Sequence, residues 1–177
     1  MPKKRFIILC LMVGLFLSYN FTLITHHTQN KLIIQKKASI KSSGYWVLTS
    51  IVIDNTGGGN YTWAEAEAED WCSGNGTLSN PFVIENVTID ATSGSALLIR
   101  NSDVYFRIEN CTLFNSVNAG IELNNVSNSQ IIGNNCSNNN FGISLDQSIN
   151  NEISTNFIIN NSQYGILLNL ANNNLIF

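Results

Sequence analysis

Two acids, Glu122 and Asp146, are the residues best spaced to do chemistry in this 177-residue chain. Both sit in short apolar segments, Gly120-Ile121-Glu122-Leu123 and Gly142-Ile143-Ser144-Leu145-Asp146. If those segments lie side by side as strands, the acids are offset by one strand and two residues. Strand spacing and rise then put their Cβ atoms about 8 Å apart. Carboxyls roughly 6.5–9.5 Å apart suit an inverting glycosidase, in which one protonates the leaving oxygen and the other activates water. Arg100, Glu122, Asn124 and Asp146 form the candidate substrate-binding set, with the Arg100 guanidinium suited to a substrate carboxylate. Against catalysis stands the chain's poverty in partners for these acids. There is no Asp-Asp pair, no lysine after Lys41 and no histidine after His27. The run Gly57-Gly58-Gly59 lacks the strand–helix context of a phosphate loop and reads as a turn. The expectation is a non-catalytic surface binder of glycans or proteins; the alternative is a polysaccharide-active enzyme, hydrolase or lyase. A purely structural spacer also stays open.

The elements that must position these residues repeat. Ala96-Leu97-Leu98-Ile99 is followed by Gly120-Ile121-Glu122-Leu123, Gly142-Ile143-Ser144-Leu145 and Gly165-Ile166-Leu167-Leu168, so that Leu97, Ile121, Ile143 and Ile166 step by 24, 22 and 23 residues. A period in the twenties marks a solenoid. Other columns read in phase are Phe106, Ile131 and Ile153; Glu109, Asn134 and Asn156; and Val87, Cys111, Cys136 and Ile158. Phe82-Val83-Ile84-Glu85-Asn86 reappears as Phe106-Arg107-Ile108-Glu109-Asn110, adding an earlier turn. Within each repeat, apolar-x-apolar dyads alternate with Asn, Gly and Ser, which is strand patterning punctuated by turns. About 23 residues make three short strands and three corners. Stacked coils pair each strand with its equivalent in parallel, so Leu97/Ile121/Ile143/Ile166 and Ile99/Leu123/Leu145/Leu168 face inward. Leu98/Glu122/Ser144/Leu167 and Arg100/Asn124/Asp146/Asn169 face outward. The chain's 28 asparagines suit the corners, because Asn tolerates the left-handed conformation and bonds nearby backbone. Stacked Asn amides can also bond from coil to coil.

These repeats resemble those of right-handed parallel β-helices of the pectate-lyase-like superfamily. Gly-Ile-x-Leu, a polar turn, then Ile-x-x-Asn is most similar to the NosD-like periplasmic copper-binding group. The resemblance covers residues 81–177 and implies an all-β fold, a right-handed parallel β-helix of about four coils of 22–25 residues. It does not settle function. Polysaccharide hydrolases of this fold use clustered aspartates, and lyases a calcium-binding acid cluster with a Lys or Arg base, patterns this chain lacks. Copper would want His, Met or thiolate ligands, but His26, His27, Met1 and Met12 all precede the repeats. No metal and no cofactor is expected.

From the start, Lys3-Lys4-Arg5 precedes an apolar run over residues 6–17, as in a secretory signal. Extended to Ile24 it becomes long enough for a signal-anchor. Residues 1–24 are therefore read as a signal peptide or anchor, which implies export and a membrane partner. Residues 25–43 form a basic polar stalk, 44–80 opening strands and a capping helix, and 81–177 the β-helix, incomplete at its C-terminal end. All twelve acids lie at or after Asp54, against only Arg100 and Arg107 beyond Lys41, a net −10 that argues against nucleic acid. Thr62-Trp63-Ala64-Glu65 has capping-box form, predicting a helix over residues 63–71 with Ala64, Ala68 and Trp71 on one face. Trp63 and Trp71 also offer rings for stacking on sugar. An open last coil predicts poor solubility and end-to-end self-association.

Four cysteines are present. Cys111 and Cys136 read as inward and stacked, either as buried thiols or as a disulfide between coils; Cys72 would then lack a partner. Asn-x-Ser/Thr occurs at Asn20, Asn60, Asn75, Asn86, Asn110, Asn125, Asn135 and Asn160. Asn60 and Asn75 are the first glycosylation candidates in an exported chain.

Overall fold

A computed structural model describes residues 40–177. The signal or anchor of residues 1–24 and the stalk up to residue 39 lie outside the described residues. In chain order the elements are β1 (Ile40–Ser42), β2 (Tyr45–Leu48), β3 (Ile51–Asp54), α1 (Trp63–Glu67), β4 (Cys72–Ser73), β5 (Phe82–Glu85), β6 (Val87–Asp90), β7 (Leu97–Ser102), β8 (Phe106–Glu109), β9 (Thr112–Phe114), β10 (Ala119–Val126), β11 (Ser129–Ile132), β12 (Phe141–Asp146), β13 (Glu152–Ser154), β14 (Tyr164–Asn169) and β15 (Leu175–Ile176). They form a parallel β-solenoid of about four turns. Sheet one runs β1-β2-β6-β9, sheet two β14-β12-β10-β7-β3, and sheet three β15-β13-β11-β8-β5-β4. Among the described strands, only β1 with β2 and β4 with β5 pair antiparallel. Among the described residues no helix is long and apolar enough to cross a membrane.

Sheet two has the register the repeat implies. Leu97, Ile121, Ile143 and Ile166 stack, as do Ile99, Leu123, Leu145 and Leu168. Ile51 and Ile53 of β3 extend both columns by one coil. Ile53, Ile99, Ile121, Leu123, Ile143 and Leu145 are fully enclosed, and each such side chain contributes about 1.5–3 kcal/mol of burial.

Sheet three differs from the expected register. Ile108, not Phe106, stacks on Ile131, while Phe106 lies opposite Ser129. Glu109 accordingly lies opposite Ile132, not Asn134. Leu175 lies opposite Glu152, and Ile176 takes the place over Ile153. The cysteine column also breaks. Thr112 pairs with Thr88 and with Asn135, which sets Cys111 beside Val87 on one side and Asn134 on the other. Cys136 instead follows Leu113. The two thiols are not stacked neighbours, and Cys72, Cys111 and Cys136 are all free and buried. Burial pushes the Cys72 and Cys111 thiols up to about 12, and raises Cys136 as well.

One physical cause lies behind these shifts. From the third coil on, inward positions are taken by polar residues that an apolar count passes over. Ser129 and Asn151 continue the column begun by Phe82 and Phe106, and Asn134 and Asn156 continue that of Val87 and Cys111. Their amides bond from coil to coil. Asn134 Oδ1 accepts from Cys111 N–H at 3.0 Å, and Asn156 Oδ1 accepts from Asn134 N–H at 2.9 Å. Asn139 and Asn161 repeat the pattern under Ser116, and Asn151 and Asn174 under Ser129.

The corners follow the same logic. Left-handed residues recur in columns: Asn101, Asn125, Gln147 and Leu170; Asn86, Asn110, Gly133 and Thr155; Asn115, Asn138 and Asn160; Asn128, Asn150 and Asn173. Asn and Gly hold these positions most readily because their side chains crowd the backbone least there.

The helix is shorter than expected. Thr62 and Glu65 do form the capping box, but α1 is five residues long. Glu69 N–H bonds Ala66 C=O three residues back, a tighter turn that ends the α spiral. The buried residues are therefore Trp63 and Ala66, while Ala64 and Ala68 are exposed. Trp63 stacks on Phe82 at 4.8 Å and donates from Nε1 to Ser102 Oγ at 2.9 Å. Tyr61 meets Trp71 edge-on at 5.3 Å. With 3% and 2% of their surface exposed, Trp63 and Trp71 cannot stack on a sugar.

Candidate functional site

Sheet two carries the candidate residues on its outer face, because strand alternation turns every second side chain away from the apolar columns. One outer column reads Asp54, Arg100, Asn124, Asp146, Asn169, and its neighbour Val52, Leu98, Glu122, Ser144, Leu167. Arg100, Glu122, Asn124 and Asp146 are thus brought to one face, and all four are half-buried.

The groups are tied together along the axis. Asp146 accepts from Asn124 Nδ2 at 3.2 Å and from Asn169 Nδ2 at 2.6 Å, so its carboxylate bridges the coils on either side. Glu122 Oε2 accepts from Asn118 Nδ2 at 2.6 Å and from the Ser95 hydroxyl. Arg100 is drawn into a clasp. Its Nε donates to Asp54 Oδ2 and its Nη2 to the Gly58 carbonyl, both at 2.8 Å. A side chain at Gly58 would meet Asp54 Oδ2 at 2.7 Å, and one at Gly59 would meet the Val52 carbonyl at 2.4 Å. The glycine run therefore lets the loop close over the buried carboxylate. Asp54 Oδ1 accepts from the Thr56 hydroxyl at 2.6 Å, the Thr56 N–H at 2.9 Å and Asn101 Nδ2 at 3.2 Å. The two Thr56 bonds, with Asn101 and Arg100, hold the Asp54 carboxyl well below the usual carboxylate range despite the opposing effect of burial.

The family described as right handed beta helix region matches residues 71–177. The chain belongs to the right-handed beta-helix family. No curated protein and no solved structure matches the chain.

Sequence reasoning missed Asp54, Thr56 and Asn101 around Arg100, and Ser95 and Asn118 around Glu122. A signal existed for the first group, because Asp-x-Thr before a glycine run is an Asx-turn pattern. Asn118 comes from the bend before β10 and Ser95 from the coil before it, contacts that only the register reveals. Among the described residues no group of three or more His, Cys, Asp or Glu side chains gathers as a metal site.

Proposed function

We propose that this beta-helix is an exported, non-catalytic cell-surface module that binds a polysaccharide on the outer face of sheet two. One observation carries the reading: carboxylate and amide groups repeat coil by coil along Asn124, Asp146 and Asn169, braced by hydrogen bonds to each other. A regular array of fixed donors and acceptors fits a regular chain of hydroxyls, and bracing lowers the entropy lost on binding. The carboxylates of Glu122 and Asp146 already accept amide hydrogen bonds, an arrangement suited to orienting hydroxyls. Export rests on Lys3-Lys4-Arg5 and the apolar run after it. The Gly-Ile-x-Leu repeats support a place near the NosD-like group, without its copper.

The test is a glycan array probed with the full chain, followed by Asp146→Ala and Asn124→Ala. Binding that both variants weaken supports the reading; binding unchanged by either refutes this face. An enzyme remains the second reading, because Glu122 and Asp146 do lie on adjacent coils. It requires reducing-end release from a bound polysaccharide, lost on Glu122→Gln.

A further inference from the structure

We infer that Asn75 is the N-glycosylation acceptor among the described residues, an inference that rests on the export part of the reading above. Seven of the eight Asn-x-Ser/Thr sites fall in the described residues, and the fold treats them differently. At most of them the amide or the hydroxyl is already committed to the solenoid. Asn110 Nδ2 donates to Asn86 Oδ1 at 2.6 Å, and Asn86 Nδ2 to Glu85 at 3.1 Å. Asn125 Nδ2 donates to Asn101 Oδ1 at 3.1 Å. A glycan on any of these nitrogens disturbs a bond between side chains of adjacent coils or of one corner. Asn135 is half-buried with an enclosed Oδ1. The Ser162 hydroxyl that would serve Asn160 donates to Asn140 at 2.9 Å. The Thr62 hydroxyl that would serve Asn60 closes the helix cap with Glu65, and Asn60 Oδ1 accepts from Val52 N–H at 2.9 Å.

At Asn75 the amide pairs with the hydroxyl of its own site. The Thr77 hydroxyl donates to Asn75 Oδ1 at 2.8 Å and accepts from Asn80 N–H at 3.2 Å within the same turn, and Thr77 N–H donates to Asn75 Oδ1 at 3.3 Å. No hydrogen bond engages Asn75 Nδ2 among the described residues. The site lies on an exposed turn between β4 and β5. The turn is closed by Asn75 N–H to Asn80 C=O at 3.1 Å and Asn80 N–H to Thr77 C=O at 3.2 Å. Gly74 and Gly76 give it its shape: both have positive φ, and a Cβ at Gly74 would meet the Pro81 carbonyl at 1.9 Å. A sugar on Asn75 leaves every coil-to-coil bond intact.

In the reaction, Asn75 Nδ2 attacks the anomeric carbon of a lipid-linked oligosaccharide. An N–C bond forms, the C–O bond to the lipid pyrophosphate breaks, and one Nδ2 proton passes to a base of the transferase. The folded full chain, incubated with a purified single-subunit oligosaccharyltransferase and its lipid-linked donor, tests this independently of export. One glycan among the seven described sites is expected, mapped to Asn75 by peptide mass spectrometry, lost in Asn75→Gln and Thr77→Ala, and retained in Thr77→Ser. No modification, or modification mainly at another site, overturns the inference. Export is read separately, from occupancy of the chain expressed in secretory cells behind its own N-terminus. Modification in the reconstituted reaction but not in cells refutes export and leaves the acceptor assignment standing.

Discussion

Asn134 bears on the whole ladder. It is 1% exposed, and its side chain joins three coils. Oδ1 accepts from Cys111 N–H at 3.0 Å, while Nδ2 donates to the Ile108 carbonyl at 2.9 Å and to Asn156 Oδ1 at 3.0 Å. Asn134→Ala strands a buried N–H and a buried C=O. Each costs about 1–3 kcal/mol when left unsatisfied, so the loss should be about 2–6 kcal/mol. Domains of this kind hold about 5–15 kcal/mol in total, so the loss is a large share. Asn134→Asp keeps the shape and still accepts from Cys111. It offers no donor, however, and sets a carboxylate against the Ile108 carbonyl and Asn156 Oδ1. A buried charge without a partner costs more than a buried dipole, so Asp should be worse than Ala. Urea unfolding followed by far-UV circular dichroism measures both, with Asn172→Ala at an exposed position as reference, expected within about 0.5 kcal/mol of the parent. If Asn134→Ala unfolds with Asn172→Ala, or if Asn134→Asp is the more stable of the pair, the ladder does not hold the coils.

Two further outcomes follow from the same geometry. The depressed Asp54 carboxyl means that the unfolded chain takes up its proton first as pH falls. Its stabilisation is complete above the ordinary carboxylate value of about 3.9 and fades below it, towards the folded value. Asp54→Asn should flatten that part of the urea midpoint against pH, and an unchanged slope would dismiss the clasp. Thr155 holds φ 54° in a column otherwise filled by Asn86, Asn110 and Gly133. Since a β-branched residue is strained there, Thr155→Asn should raise stability by about 1 kcal/mol, read as a higher unfolding midpoint.

Sheet two was legible because its two main inward columns are apolar in every coil. Leu97, Ile121, Ile143 and Ile166 announce their stacking by residue type, and the outer columns follow from strand alternation. The helix cap was legible too, since Thr62 and Glu65 are a local pattern. What stayed hidden depends on contacts between coils. Arg100 reads as a free guanidinium until β3 is laid beside β7 and Asp54 is found to take it. Asn75 and Asn60 read alike until the partners of Thr77 and Thr62 are known.

The misplaced columns carry a more general point about how this solenoid is built. An apolar period is a sound guide only while the interior is apolar. Here the first coils fill two inward columns with Phe82 and Phe106, and with Val87 and Cys111. The later coils fill them with Ser129 and Asn151, and with Asn134 and Asn156. The substitution is tolerable because each amide meets a backbone N–H or C=O of the adjoining coil, so the polar group is buried with its partners already in place. A single buried asparagine would be costly, whereas a stack of them shares its bonds along the axis. Each rung therefore depends on the rung beside it. That dependence makes the interior polar column a specifier of register: a one-residue slip would turn every amide outward and leave the facing backbone groups unmet.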